Sequence, residues 1–172
     1  PPPGKLNART QRMDVAENPC VLKPRTGYKR LENQLYRVEI QKSGTLATAT
    51  FKWSRDNATV ETKIIGVNGS ILTVASLGRD EVLGFAGGQW VEIVSEESTL
   101  KSTPSKLYKI ESVNPDFLEI KLSETVSQNT SGILKLRRWD QSEPTANKNG
   151  LKASSGWINL EDGIQISFSA GT

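Results

Sequence analysis

The chain has 172 residues, of which 35% are hydrophobic and 24% charged, and its formal net charge is +3. This length suits one domain with a hydrophobic core, and the near balance of charge argues against a nucleic-acid-binding surface, which would gather basic residues on one face. The chain contains no histidine and one cysteine, Cys20, which excludes a histidine base, a zinc site of Cys and His, and an internal disulfide. No apolar stretch reaches the length of about 18 residues that a membrane span needs.

The first 30 residues form the least regular part of the sequence. Residues 1–30 contain five of the eight prolines and show almost no hydrophobic period. This composition is typical of an extended arm that lies on the body of the protein or links it to a preceding segment. The chain starts at Pro1 without a methionine and stops at Thr172, so we expect it to be a piece of a longer protein.

Hydrophobic and polar residues alternate from residue 31 onwards. In the segment LYRVEI, residues 35–40, one face carries Tyr36, Val38 and Ile40. The segment ATATFKW, residues 47–53, repeats the alternation. Because successive side chains of a strand point to opposite faces of a sheet, this period of two predicts β-strands in both segments.

Two hairpins are predicted in the middle of the chain. β-branched runs flank Asn68-Gly69 within residues 62–76, and both turn residues accept the positive φ angles of a type I′ turn. Residues 108–122 have the same design around Pro115 and Asp116, which fit a turn of different chemistry.

The remaining strand signals lie at residues 87–94, 133–139 and 164–168. The alternation within LKLRRW, residues 134–139, is typical of a half-buried strand with one solvated face rather than of a phosphate-binding track. Before the last strand, the segment LEDGI reads as a hairpin turn with Asp162-Gly163 at its tip.

This rhythm of strands and turns predicts an all-β protein with at most a minor short helix, at residues 76–85. The architecture that fits is a mixed antiparallel sheet or sandwich with a small SH3-like or OB-like β-barrel. We predict an N-terminal arm at 1–30, a β-sheet body at 31–83 and 140–172, and the barrel at 84–139. The candidate barrel core is Trp90, Val91, Ile93, Tyr108, Ile110, Leu118, Ile120, Leu134 and Leu136.

Carboxylates are the remaining candidates for acid–base chemistry. Two carboxyl groups that face each other across a cleft suffice for glycoside hydrolysis, but the carboxylates here follow no recognisable spacing. No calcium-binding loop and no nucleotide-binding glycine motif is present either. We therefore predict no catalytic residue, no metal site and no cofactor, and we interpret Cys20 as a small buried side chain or a free thiol. The carboxylates considered are Glu32, Glu39, Asp56, Asp80, Glu81, Glu161 and Asp162.

Four tryptophans could offer aromatic faces to a sugar. Trp53 and Trp90 lie in strands with apolar alternation, which favours core packing. Trp139 leads into a polar loop and Trp157 follows the segment KASSG, which favours exposure. The candidate contacts with a ligand or partner are Trp139, Trp157, Arg137 and Arg138.

Charged and amide side chains are concentrated in ENQLYRVEI, residues 32–40, and FKWSRDN, residues 51–57. If these two strands pair as a hairpin, their Arg and carboxylate groups can form a ladder of charge-assisted hydrogen bonds that fixes the register. Asn33 and Asn57 would satisfy the turns. We interpret the whole set as structural: Glu32, Asn33, Tyr36, Arg37, Glu39, Trp53, Arg55, Asp56 and Asn57.

The segments ENQLYRVEI, FKWSRDN, LGRD, WVEIV and LEDGIQISF occur in an order that resembles an uncharacterised bacterial domain family. The resemblance covers about residues 20–172. The family is associated with phage-tail-like and contractile-injection-type gene clusters. The resemblance therefore implies a structural or adaptor part of a particle, and it supplies no catalytic residues.

Our leading hypothesis is a non-enzymatic structural or binding module of a larger bacterial, phage-tail-like protein. Its expected partners are other protein subunits or domains, including further copies of itself, with no nucleic acid and no membrane. Its location would be a particle or a secreted assembly. The alternative is a carbohydrate-active module that binds glycans through tryptophan or hydrolyses them with two carboxylates.

Overall fold

The computed structural model describes residues 4–10, 34–95, 98, 104–127, 132–142 and 146–170. The chain forms two compact units. The first unit consists of Pro1–Asn33, Gly44–Ala49 and Lys152–Thr172, and the second consists of Gln34–Ser43 and Thr50–Leu151.

The predicted all-β class is confirmed, because the described residues form twelve strands connected by turns and loops. The strands are β1 (Lys5–Thr10), β2 (Arg37–Lys42), β3 (Thr50–Ser54), β4 (Glu61–Asn68), β5 (Ile71–Val74), β6 (Trp90–Ser95), β7 (Leu107–Asn114), β8 (Glu119–Leu122), β9 (Leu134–Trp139), β10 (Leu151–Lys152), β11 (Ile158–Asn159) and β12 (Ile164–Ser169). None of the helices among the described residues is long and apolar enough to cross a membrane.

The first unit contains a three-stranded sheet in the order β1-β12-β11. β1 pairs with β12 in antiparallel fashion along its whole length, from Lys5 opposite Ser169 to Thr10 opposite Ile164. This part of the predicted N-terminal arm is therefore an extended strand, whereas residues 11–30 lie outside the described residues. β11 and β12 are joined by a turn in which Asp162 and Gly163 have φ angles of 47° and 82°, which confirms the predicted turn at this pair.

The second unit contains a barrel-like ring of six strands in the order β4-β5-β8-β7-β6-β9. β4 closes the series because its first residues, Glu61–Lys63, pair with β9, while its later residues pair with β5. β7 is shared in the same way between β6 and β8. The sequence placed the barrel at residues 84–139 alone, but the ring also includes the hairpin β4–β5, which supplies two of its six strands.

Apolar side chains from all six strands fill the ring. Eight of the nine predicted core residues are buried, the exception being Leu118. Leu118 is exposed because it ends the four-residue turn between β7 and β8, where its φ angle is 53° and its carbonyl oxygen accepts a hydrogen bond from the Val74 N–H. The buried cluster of the ring is Ile64, Leu72, Val74, Phe85, Val91, Ile93, Tyr108, Ile110, Ile120, Leu122, Leu134 and Leu136.

Both hairpins predicted in the middle of the chain are present, but the turn of the first is shifted by one residue. Asn68 pairs with Ile71, so the two turn residues are Gly69 and Ser70. Gly69 has a φ angle of 62°, and glycine at the first turn position is typical of a type II′ hairpin. The segment 76–85, where a short helix was considered, forms a loop in which Asp80 Oδ1 accepts hydrogen bonds from the N–H groups of Val82 and Leu83.

The third sheet has the order β10-β3-β2. β2 and β3 form the predicted antiparallel hairpin, with Arg37 opposite Ser54 and Glu39 opposite Lys52. Phe51–Ser54 are all buried, so this strand does not have the solvated face that its alternating sequence suggests.

Candidate functional site

The candidate site begins with a lysine in the interior of the second unit. Lys52, on β3, is only 1% exposed. The neighbouring carboxylate, Glu92, lies on β6, whose residues Trp90–Val94 are all buried. Since Val91 and Ile93 belong to the ring core and side chains alternate along a strand, Glu92 lies on the opposite, also covered, face of β6.

Short contacts join Lys52, Glu92 and Trp139. We call these three residues the buried charge cluster. The Lys52 Nζ atom lies 2.6 Å from Glu92 Oε2, and the Trp139 Nε1–H donates to the same oxygen at 3.0 Å. The Ser105 N–H donates to Glu92 Oε1 at 2.9 Å. Lys52 Nζ also lies 4.4 Å from the centroid of the Trp139 ring, which adds a cation–π interaction. Both oxygens of the buried carboxylate therefore accept hydrogen bonds.

Part of the predicted charge ladder on β2 and β3 is present. Arg37 forms an ion pair with Glu39, and the other oxygen of Glu39 lies 3.5 Å from Lys52 Nζ. Lys52 therefore lies between two carboxylates, those of Glu39 and Glu92. The sequence pattern singled out Arg37 and Glu39 but did not identify Lys52 or Glu92.

The carboxylate bound at the end of β3 is that of Asp140 and not that of the neighbouring Asp56. The Ser54 hydroxyl and the Arg55 N–H donate to Asp140 Oδ2 at 3.0 and 2.9 Å, and the Arg55 and Arg138 Nε atoms lie 3.8 and 3.2 Å from Oδ1. Asp56 is instead part of the turn after β3, where its backbone carbonyl accepts a hydrogen bond from the Thr59 N–H.

The other predicted structural residues of these two segments have separate outcomes. Asn57 is in the same turn with a φ angle of 52°, which asparagine tolerates, and its N–H donates to the Leu35 carbonyl. The ring of Tyr36 lies 6.0 Å from that of Trp53, centroid to centroid. Glu32 and Asn33 lie outside the described residues.

The four tryptophans divide differently from the sequence prediction. The core positions of Trp53 and Trp90 are confirmed, since both are buried. The predicted exposure of Trp139 is wrong, because its exposed fraction is 0%. Trp157 is 39% exposed as predicted, and the guanidinium carbon of Arg9 lies 4.1 Å from its ring centroid, so an arginine already stacks on this ring.

The two arginines of LKLRRW differ in their exposure and in their partners. Arg137 Nη2 lies 3.2 Å from Glu61 Oε2 on β4, and Lys135 Nζ lies 2.6 Å from the other oxygen of Glu61. Arg138, also a candidate contact residue, is 2% exposed and donates from Nη1 to the Val82 and Gly84 carbonyls, so it lies in the interior. The reason is its register, since Arg138 continues the inward-facing series of Leu134 and Leu136.

Glu61 has an altered pKa. Its partial burial raises the pKa, but the hydrogen bonds from Lys135 and Arg137 and the attraction of their charges together outweigh burial. The pKa of Glu61 therefore lies below its ordinary value of 4.5. The pKa of Glu124 is lowered as well, by a hydrogen bond from Lys106.

A pocket of about 150 Å³ opens beside Asp140 and Arg138 in the second unit. Most of its lining is polar. The lining residues are Arg55, Val82, Gly88, Gln89, Arg138, Trp139, Asp140, Gln141 and Ser142.

The remaining carboxylates that the sequence offered for catalysis lie in separate loops. Asp80 binds backbone N–H groups of its own loop, and Asp162 is in the turn before β12. Within the ranges that the structure describes, no group of three or more Cys, Asp or Glu side chains could hold a metal ion.

Comparison with known proteins identifies the family. The chain belongs to a family of unknown function (DUF6519), whose model matches residues 3–172. The expected membership of an uncharacterised family is confirmed in this form. Neither the curated proteins nor the solved structures include a significant match.

Proposed function

We propose that the chain is a non-enzymatic structural or binding module of a larger bacterial, phage-tail-like protein, in which it contacts other protein subunits. The observation that carries this proposal is that the protein itself engages the carboxylates of Glu92, which is buried, and of Asp140, whose side chain is 6% exposed. Each accepts hydrogen bonds at close range from donors of other segments of the second unit. Carboxylates bound in this way hold the chain together and need no substrate to explain them.

The position of Lys52 between two carboxylates also favours a structural role. Glu39 and Glu92 both contact Lys52 Nζ, so a buried ammonium lies between them. A glycosidase places its two carboxyl groups on either side of a cleft that admits the sugar. Lys52 is nearly inaccessible to solvent, so a sugar could not replace it without opening the sheet.

A protein contact is supported by two consecutive exposed apolar residues, Val82 and Leu83. Their loop is held by backbone hydrogen bonds to Asp80 and by Arg138, which binds the Val82 carbonyl at 3.0 Å. Single exposed apolar residues are common, but adjacent ones on a fixed loop are suited to a protein interface. The phage-tail-like context rests on the resemblance of the sequence segments named above.

Complex formation tests this proposal. The chain should be co-expressed with the products of the genes beside its own, and each mixture analysed by size-exclusion chromatography with light scattering. We expect a complex with at least one of these products, weakened in the double variant Val82→Ser/Leu83→Ser. Ile65→Ser is the matched control, because Ile65 is also exposed but lies on β4. The absence of every complex, together with hydrolysis of any glycan in a panel, would contradict the proposal.

A glycan-binding role is the second candidate, and the exposure of Trp157 favours it. The buried Trp139 cannot serve as a second stacking face. Glycan-array binding that disappears in Trp157→Ala, and persists in Trp157→Phe, would support this candidate. Equal signals from all three proteins would exclude it.

A further inference from the structure

The pocket beside β9 is rich in hydrogen-bond donors. Gln141, which lines it, is 2% exposed. Its Oε1 atom accepts a hydrogen bond from the Trp53 N–H at 3.3 Å. Since a backbone N–H can only donate, this contact identifies the oxygen of the amide and makes the other atom Nε2. Nε2 is buried and has no hydrogen-bond partner among the described residues.

A buried amide without a hydrogen-bond partner destabilises the folded protein. Native proteins satisfy most such groups, so the buried NH₂ group of a residue that lines a pocket calls for an acceptor beyond the described residues. Gln89 is arranged in the same way, because its Oε1 accepts a hydrogen bond from the Ala86 N–H at 2.9 Å and its side chain also lines the pocket. Both glutamines thus engage their oxygens with the backbone, which leaves their NH₂ groups as donors.

The charges around the pocket favour an anion. Two guanidinium groups, of Arg55 and Arg138, and one carboxylate, of Asp140, line it. Asp140 is already bonded to Ser54 and to the Arg55 backbone. The contacts of Arg138 described above use Nη1 and Nε and do not involve Nη2. The local balance is therefore one net positive charge with several N–H donors, the combination that binds carboxylates.

The volume limits the size of the ligand. Pockets for drug-sized molecules measure roughly 300–1,000 Å³, whereas this one measures about 150 Å³. A cavity of that volume accommodates a group of about six non-hydrogen atoms. An acidic amino-acid side chain meets this limit, whereas a sugar or a nucleotide exceeds it.

We propose that this pocket binds the carboxylate of an acidic side chain on a protein partner, with Gln141 and Gln89 as hydrogen-bond donors and Arg138 as the cation. The partner is an extension of the function proposed above and rests on it. The exposed residues Val82 and Leu83 lie at this pocket, since Val82 also lines it. An acidic residue flanked by apolar ones would match both features of this surface.

Nuclear magnetic resonance with short capped peptides tests the pocket. The probe is acetyl-Gly-Glu-Gly-amide, and its matched control is acetyl-Gly-Gln-Gly-amide. We expect the glutamate peptide to shift the side-chain NH₂ resonances of Gln141, with a dissociation constant of about 1–10 mM because one side chain buries little area. The glutamine peptide should bind at least about tenfold more weakly.

Two variants and one control locate the effect. Gln141→Glu keeps an oxygen for the Trp53 N–H but replaces the donor by a negative charge, and it should weaken binding by at least about tenfold. Gln89→Glu makes the same change at a half-buried position, so it serves if the first variant does not fold. Gln34→Glu, at a residue outside the pocket lining, should bind like the wild type.

Three results would overturn the proposal. Inorganic phosphate could bind as tightly as the glutamate peptide, which would replace a carboxylate site with a general anion site. Equal binding of both peptides would remove the role of charge, and the absence of any shift would mean that the pocket holds water only. Complex formation with neighbouring gene products is measured separately, so a complex that persists while the peptide fails to bind would contradict the pocket alone.

Discussion

Lys52 illustrates how a charged side chain can be stable in the interior of a protein. Transfer of a single charge to the interior is unfavourable by several kcal/mol even after relaxation. Here the ammonium has an ion pair with Glu92 at 2.6 Å and the face of Trp139 at 4.4 Å. These contacts compensate for lost hydration only while all three residues stay together. The cluster therefore favours one arrangement of β3 against β6 and β9.

The lowered pKa of Glu61 predicts how the stability of the protein depends on pH. A carboxylate whose pKa is lowered in the folded state stabilises the protein above its unfolded pKa, and this contribution disappears as the pH falls through the folded value. Glu61 belongs to this class, since its pKa lies below 4.5. We expect Glu61→Gln to have a lower free energy of unfolding than the wild type at pH 7, and the two curves to converge as the pH falls below 4.5. Urea unfolding at a series of pH values measures this.

The cations that lower the pKa provide the control for this prediction. In the background Lys135→Met/Arg137→Met only the partial burial of Glu61 remains, and burial raises its pKa. Glu61 should then no longer stabilise the protein above pH 4.5, so Glu61→Gln should no longer lower the free energy of unfolding at pH 7. Curves of wild type and Glu61→Gln that stay parallel throughout the acid range would contradict the assignment.

The sequence predicted the burial of a residue correctly where its strand alternates between core and solvent. It failed where both faces of the strand are covered. Leu134 and Leu136 were placed correctly, but Trp139 was expected at the surface. Its face of β9 is covered because Lys52, on a strand distant in sequence, packs over it. Periodicity identifies the two faces of a strand, but it does not reveal that a second sheet covers the outer one.

At the scale of elements, the hairpin β4–β5 was the clearest feature of the sequence. Asparagine and glycine both accept positive φ, so the local pattern located the turn but not its register. In the structure Gly69 alone has positive φ, whereas Asn68 pairs with Ile71 as a strand residue. The pairing of β4 with β5 and β9 selected this register, because it places Ile64 and Leu72 in the core.

Substitution of Gly69 measures the conformational requirement of this turn. A Cβ atom there would meet no other atom within 4 Å, so any loss arises from the left-handed backbone alone. We expect Gly69→Ala to lower the free energy of unfolding by about 1–2 kcal/mol. Gly69→Asn should lose less, because asparagine visits this region more readily. Equal losses in both variants, measured by urea unfolding, would contradict this explanation.

At the scale of the whole chain, the all-β class and the sites of most strands followed from alternation and turn residues. Local patterns did not predict which strands form the ring, because this depends on pairing between segments that are distant in sequence. β4 pairs with β9 through Glu61 and Arg137, two residues separated by most of the middle of the chain. Local patterns predict strands, but nothing local specifies which strands become neighbours.

The candidate site was missed for the same reason. Lys52, Glu92 and Asp140 come from β3, from β6 and from the residue after β9. No short motif joins them, and the acidic residues that the sequence did single out, Asp56 and Asp162, lie in turns. The available signal was a lysine between Phe51 and Trp53 on β3, and alternation assigned it to solvent.

We infer above all that the buried charge cluster holds the second unit together. A double-mutant cycle in urea unfolding, with Lys52→Met and Glu92→Gln, tests it directly. We expect Lys52→Met to lose about 3–5 kcal/mol, because it leaves the buried Glu92 without its cation. Glu92→Gln should lose less, because Lys52 keeps Glu39 at 3.5 Å, and the double variant should be more stable than the sum of the two losses implies. The exposed pair Lys121 and Glu111, 3.1 Å apart, is the matched control and should show a coupling of at most about 1 kcal/mol.

The decisive comparison is between the double variant and the two single ones. A double variant Lys52→Met/Glu92→Gln that is more stable than the sum of the two losses implies, with complex formation unchanged, is the result that the account predicts. Losses that simply add, or a double variant that folds normally but no longer forms the complex, would contradict it.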